Sequence, residues 1–104
     1  MNLLGLQSTI NPNMAIRLLM YAGRIYEKII DIKKVYSTKR FTIPQPEFIV
    51  LYNGSAPYPE EAVIKLSESF ENIESLGLPV KTHPALELIA KIININQNIW
   101  INYN

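Results

Sequence analysis

The chain has 104 residues, of which 48% are hydrophobic and 18% are charged, and its formal net charge is +1. This length suits a single domain spanning residues 1–104, and this composition excludes a disordered chain. The absence of cysteine excludes disulfides and predicts a cytoplasmic protein, and no apolar run approaches the roughly 18 residues that a membrane span needs, so no membrane contact is expected.

The first predicted element is a short strand over residues 3–9. Asn11 and Pro12 then signal a helix start, because Asn caps free N–H groups and Pro fits the first helical position. A long helix is expected to continue to about residue 36, since apolar side chains recur at spacings of three and four. The members of this stripe are Met14, Leu18, Tyr21, Ile25, Ile29, Ile32 and Tyr36. We therefore expect the helix tyrosines to pack in the core, namely Tyr21, Tyr26 and Tyr36.

A proline-rich break at residues 42–46 separates this helix from the later elements. The apolar run 48–52 lacks alternation, which predicts a central strand covered on both faces. The spacing over residues 60–76 favours a helix, and a short strand at residues 63–66 is the alternative. Residues 86–95 are predicted to form the last strand, and the tail that follows is expected to add an edge strand.

Charge is divided unequally along the chain. Residues 11–43 hold seven basic and two acidic side chains, whereas residues 44–78 hold six acidic side chains and one basic. The two segments are either ordinary solvated faces or a basic patch and an acidic patch. The basic residues are candidate contacts for a nucleic-acid backbone or for a protein partner. They are Arg17, Arg24, Lys28, Lys33, Lys34, Lys39 and Arg40.

Residues 7–14, with the sequence Gln-Ser-Thr-Ile-Asn-Pro-Asn-Met, begin a series of characteristic blocks. The later blocks are Tyr21-x-x-Arg24-x-Tyr26-Glu27, residues 43–54, residues 59–61 with 66–70, and residues 86–88 leading to 93–96. Together they resemble the PD-(D/E)XK nuclease-like family of mobile elements, the Rpn proteins and nuclease-family transposases. The resemblance implies an α/β (α+β) fold: a partial nuclease-like core with a small mixed sheet and one long amphipathic helix packed on it.

The resemblance also implies that the chemistry of the family is lost. The family has a metal-ligating Glu two residues before Gln7, where this chain has Gly5, and its catalytic Asp would lie before Met1. Phosphodiester cleavage of this kind needs carboxylates that hold Mg²⁺. We therefore expect no catalytic residue, no metal and no cofactor, with Gln7 as a vestige. Glu47 and Glu87 are interpreted as surface or ion-pair residues rather than as substitute ligands.

In the family layout the first strand of this chain would pair with an earlier strand that is absent here. The strand over residues 3–7 is therefore expected to present a free edge. Self-association, strand addition to another protein, or folding-back of the C-terminal tail would cover that edge. The candidate interface residues are Leu3, Leu4, Leu6 and Gln7.

The first functional hypothesis is a catalytically inactive interaction protein encoded by a phage or mobile element. One version is an anti-CRISPR-like inhibitor of a nucleic-acid-targeting defence nuclease, and a homodimer through the N-terminal edge strand is a further expectation. The alternatives are a nucleic-acid-binding remnant of a transposase or nuclease, a nuclease subunit completed in trans, and a decayed gene fragment without function.

Overall fold

The structure is a computed structural model that describes residues 1–71 and 84–96. Four strands form one mixed sheet: β1 (Asn2–Gln7), β2 (Glu47–Tyr52), β3 (Glu61–Lys65) and β4 (Ile89–Asn94). Their order across the sheet is β1-β2-β4-β3, in which β1, β2 and β4 are parallel and β3 is antiparallel. The predicted α+β class with a small mixed sheet is confirmed, while the predicted tail strand lies outside the described residues.

Helix α1 (Met14–Ile29) is the crossover between the parallel strands β1 and β2. It begins at Met14, two residues after the predicted first helical position, with Asn13 as the N-cap residue and no side-chain cap. The Asn11 side chain accepts a hydrogen bond from the Asn13 N–H at 2.7 Å in the turn that precedes the helix. The prediction of one helix to residue 36 is wrong, because the backbone is extended at Ile30 and Asp31. A short helix α2 (Ile32–Val35) then follows. The Asp31 carboxylate accepts from the Lys33 N–H at 3.0 Å and thereby caps α2 as a separate element.

The core lies between the N-terminal half of α1 and one face of the sheet. Its buried side chains are Met14, Ala15, Leu18, Val50, Tyr52, Leu66, Leu88, Ala90 and Ile92. Beyond Ala22 no residue of α1 is fully buried, and Ile29 is 46% exposed. A helix of this length runs about 24 Å, whereas a six-residue strand spans about 20 Å. The apolar stripe therefore continues past the sheet that could bury it.

Strand β2 is central, as predicted, because it pairs with both β1 and β4. The expected coverage of both faces is not seen among residues 1–71 and 84–96. Val50 and Tyr52 are buried towards α1, but Ile49 and Leu51 on the other face are only partly buried. The sheet is thus covered by a helix on one side only in the described part of the chain.

The α-helix favoured for residues 60–76 is wrong over residues 61–71. The alternative, a strand at residues 63–66, is confirmed for residues 63–65, which belong to β3 (Glu61–Lys65). β3 alternates between Ala62 and Ile64 on the core side and exposed residues such as Val63, which is the two-residue period of a half-buried strand. A 3₁₀ helix (Leu66–Ser69) follows, and it buries Leu66. Residues 72–76 lie outside the described residues.

Side-chain hydrogen bonds join the carboxyl end of β4 to the loop that follows β2. Asn94 donates from Nδ2 to the Tyr58 carbonyl at 2.8 Å, and Asn96 donates from Nδ2 to the Gly54 carbonyl at 2.9 Å. Tyr52 donates its hydroxyl to the Ala56 carbonyl at 2.7 Å. Asn94 and Asn96 therefore donate hydrogen bonds to loop carbonyls, and they hold the loop after β2 against the end of β4.

Candidate functional site

Strand β1, which holds Gly5 and Gln7, lies at one edge of the sheet. Gly5 is opposite Val50 of β2, and Gln7 is opposite Tyr52. Gln7 is half-buried on the α1 side of the sheet. A Cβ built on Gly5 would meet no atom within 4 Å. The position at which the sequence resemblance would place a metal-binding carboxylate is therefore open space.

A cleft of about 120 Å³ lies beside Gly5, between β1 and α1. Its lining residues are Leu3, Leu4, Gly5, Gln7, Met14, Arg17, Leu18, Tyr21 and Val50. The charged group in this lining is the Arg17 guanidinium, and Gln7 adds a neutral amide. Divalent cations such as Mg²⁺ prefer carboxylate oxygens, and a guanidinium repels them. The cleft is therefore suited to an apolar group with an acceptor or a negative charge, and it is unsuited to a metal ion.

Within residues 1–71 and 84–96, no three His, Cys, Asp or Glu side chains come together as a metal-binding group. Glu47 is exposed at the first residue of β2. Glu87 has a structural contact instead: its Oε1 accepts from the Ser67 N–H at 2.9 Å and from the Leu88 N–H at 3.0 Å. Hydrogen bonding from the Ser67 side chain is the main cause that lowers the pKa of Glu87 below its usual value.

The four candidate interface residues of β1 divide between the two faces of the sheet. Leu3 and Gln7 are half-buried towards α1, whereas Leu4 and Leu6 are 66% and 60% exposed on the other face. In the described part of the chain, β2 is the neighbour of β1 and no strand pairs with its outer side. The expected free edge is confirmed for the described residues.

Leu4 and Leu6 belong to a larger apolar surface, the sheet face opposite α1, which we call the open face. Its apolar residues are Leu4, Leu6, Ile49, Leu51, Val63, Ile89 and Ile93. One exposed ion pair, Lys91 Nζ to Glu61 Oε1 at 3.2 Å, crosses its β3–β4 half. Sequence reasoning missed this surface because the unbroken apolar run of β2 predicted two covered faces. The alternation in β3 is the signal that could have indicated it.

All seven predicted basic contacts are exposed. Arg17 lines the cleft beside β1. The remaining six fall on the C-terminal half of α1, on α2 and on the loop that follows, within residues 24–40. We call residues 24–40 the basic segment. In the described part of the chain, no ion pair joins it to the acidic residues of the later segment.

The prediction that the helix tyrosines pack in the core is wrong for two of them. Tyr21 is 43% exposed and Tyr36 is 83% exposed. Tyr26 is half-buried and donates its hydroxyl to the Pro44 carbonyl at 2.6 Å. Ile32 and Val35 on α2 are also exposed. Tyr36, Ile32 and Val35 all lie on or directly after α2, so the basic segment presents aromatic and aliphatic groups among its cations.

No protein-family model, no curated protein and no solved structure matches the chain. The nuclease-like ancestry therefore stays a prediction from the sequence. Among residues 1–71 and 84–96, none of the helices combines the length and the apolar character needed to cross a bilayer.

Proposed function

We propose that this chain is a catalytically inactive, nuclease-like interaction protein of a phage or mobile element, and that its function is to bind another protein. In its most concrete version the partner is a nucleic-acid-targeting defence nuclease, which the chain would inhibit. Gly5 at the expected ligand position, beside a cleft whose charged group is Arg17, supports the loss of catalysis.

The observation that carries this proposal is the open face. Sheets made largely of parallel strands are normally covered on both faces, and contiguous exposed apolar patches mark interaction sites. Here Leu4, Leu6 and Val63 are each more than half exposed. A partner that laid an apolar surface against this face would remove these side chains from water.

The test is binding to a panel of purified CRISPR effector nucleases, with variants of the open face. Val63 and Ile89, each 54% exposed, lie on its β3–β4 half. Val63→Glu combined with Ile89→Glu places charge in the contact, and we expect at least a tenfold loss of affinity while circular dichroism stays unchanged. The matched control is Val35→Glu combined with Ile32→Glu, the same two changes at exposed residues of α2.

Binding that survives the open-face variant would contradict the proposed surface. The proposed function would be contradicted if the chain bound none of the effectors in the panel and the purified chain cleaved DNA or RNA in the presence of Mg²⁺.

A second function, nucleic-acid binding, is favoured by one specific observation. The exposed ring of Tyr36 lies between Lys33, Lys34 and the pair Lys39–Arg40 in sequence, and it is 83% exposed. Aromatic rings among cations allow bases to stack while the cations contact phosphates.

The basic segment separates this candidate from the first. Replacement of Lys33, Lys34, Lys39 and Arg40 by Ala should weaken single-stranded DNA or RNA binding and flatten its dependence on salt. Tyr36→Ala should cost about 1–3 kcal/mol of binding free energy if one base stacks on the ring. Lys65→Ala, which removes a cation from β3, is the control. Equal affinity of the fourfold variant and the wild type would exclude this candidate.

A further inference from the structure

The backbone groups of β1 alternate between its neighbour and its outer edge. The Met1 carbonyl accepts from the Glu47 N–H at 2.7 Å, and the Gln7 carbonyl accepts from the Asn53 N–H at 3.0 Å. Odd-numbered residues therefore direct their hydrogen-bonding groups towards β2. In a regular strand the intervening residues direct theirs the opposite way. Leu4 and Leu6 thus present N–H and carbonyl groups to the outer edge.

The same two residues expose their side chains on the open face, at 66% and 60%. They flank Gly5 symmetrically, so the centre of β1 reads the same in both directions as Leu-Gly-Leu. An antiparallel copy of this strand, centred on Gly5, would place Leu4 opposite Leu6 of the second copy, and Leu6 opposite its Leu4. The side-chain pattern of β1 is therefore complementary to that of an antiparallel second copy of the same strand.

Two further features of β1 suit a second copy of the chain. The strand carries no charged residue and no proline, which are the groups that natural edge strands use to prevent pairing. At the centre of the contact, Gly5 would face Gly5 of the second copy, and the space beside Gly5 is empty in each copy. Neither charge repulsion nor side-chain overlap opposes the approach.

We propose that two copies of this chain pair antiparallel through β1, about a two-fold axis at Gly5, and form a continuous eight-stranded sheet. The two Leu4–Leu6 pairs exchange backbone hydrogen bonds across the axis, and their four side chains form one apolar cluster. The neighbouring register, with its axis at Leu4, would set Leu6 against the amide of Asn2. The first register is favoured because it pairs leucine with leucine. Backbone hydrogen bonds discriminate little between the two registers, since each bond gained replaces a bond to water.

This register makes a specific prediction for cysteine cross-linking, because the natural chain contains no cysteine. Gly5 would form a non-hydrogen-bonded antiparallel pair with itself, with Cα atoms about 4.5 Å apart. That separation lies within the range that a disulfide spans. Under mild oxidation Gly5→Cys should become a covalent dimer, whereas Leu4→Cys should not, since its opposite residue is Leu6. Cross-linking of Leu4→Cys in place of Gly5→Cys would overturn the proposed pairing.

Sedimentation of proline variants tests the dimer without a cross-link. Leu6→Pro removes an N–H that points to the free edge, so each copy should keep its fold and sediment as a monomer at concentrations where the wild type is a dimer. Leu6→Thr keeps the N–H and should weaken the dimer less. Gly5→Pro removes an N–H directed to β2 and should destabilise the monomer itself.

A wild type that is monomeric at every concentration would overturn the proposal, as would a dimer that is insensitive to Leu6→Pro. The protein partner proposed above is tested on the far half of the open face, so either proposal can fail while the other stands.

Discussion

Two glycines illustrate how single residues are constrained in this chain. A Cβ on Gly54 would collide with the Ser8 carbonyl oxygen, because the loop after β2 packs tightly against the end of β1. Gly23, in the middle of α1, faces open space. The same substitution should therefore have opposite effects at the two positions.

We expect Gly54→Ala to lower the free energy of unfolding by about 1–3 kcal/mol, since the backbone must shift to admit the methyl group. Gly23→Ala should raise it by about 0.5–1 kcal/mol, because alanine is the better helix former and restricts the unfolded chain. Urea unfolding of both variants measures the difference. A stabilising Gly54→Ala would contradict the close approach of the two loops.

Glu87 provides a prediction of pH dependence. Its folded-state pKa is lowered from 4.5, first by the hydrogen bond with the Ser67 side chain. A lowered pKa gives stability that is present above the unfolded value and is lost as the pH falls through the folded value. Glu87→Gln should therefore be less stable than the wild type at pH 7, and the difference should vanish at acidic pH.

The measurement is the urea midpoint of wild type and variant at pH 7 and at about pH 3. Glu47→Gln, the same change at an exposed residue of β2, is the control. A difference for Glu87→Gln that is equal at both pH values would indicate that the charge of Glu87 has no part in holding the 3₁₀ helix.

Among the elements, α1 contributes unequally along its length. Leu18 is 8% exposed and belongs to the core, whereas Ile32 on α2 is 67% exposed, although both lie on the same predicted stripe. Leu18→Ala should cost about 2–5 kcal/mol of unfolding free energy. Ile32→Ala should cost about 0.5 kcal/mol or less. Comparable losses at both sites would mean that α2 is packed in solution.

The elements also mark the limit of sequence reasoning. Asn11 and Pro12 act locally, and they predicted the start of α1 to within two residues. The end of α1 and the exposure of Tyr36 depend on where the sheet ends. The spacing of apolar residues within the helix carries no information about that position. Residues 61–65 fit both periods, and pairing with β4 decides the strand. Propensity is a weak guide where tertiary pairing satisfies the backbone.

For the whole molecule, the class of fold and the edge position of β1 were predictable, and the open face was not. The sequence shows that β2 is apolar, but it does not show that a helix covers one face alone in the described part of the chain. The candidate site divides likewise. Gly5 could be singled out from the sequence, whereas the place of Arg17 beside it in the cleft depends on how α1 crosses β1.

The parallel pairing of β1 with β2 has a consequence for synthesis on the ribosome. Asn2 lies opposite Glu47, so β1 leaves the ribosome some 45 residues before the strand β2 with which it pairs. At about 5–20 residues per second, that interval lasts about 2–9 s. During it, an uncharged leucine-rich segment is exposed to every other nascent chain nearby. The yield of native protein in cells should therefore depend on the rate of translation through α1, and slower codons there should favour aggregation.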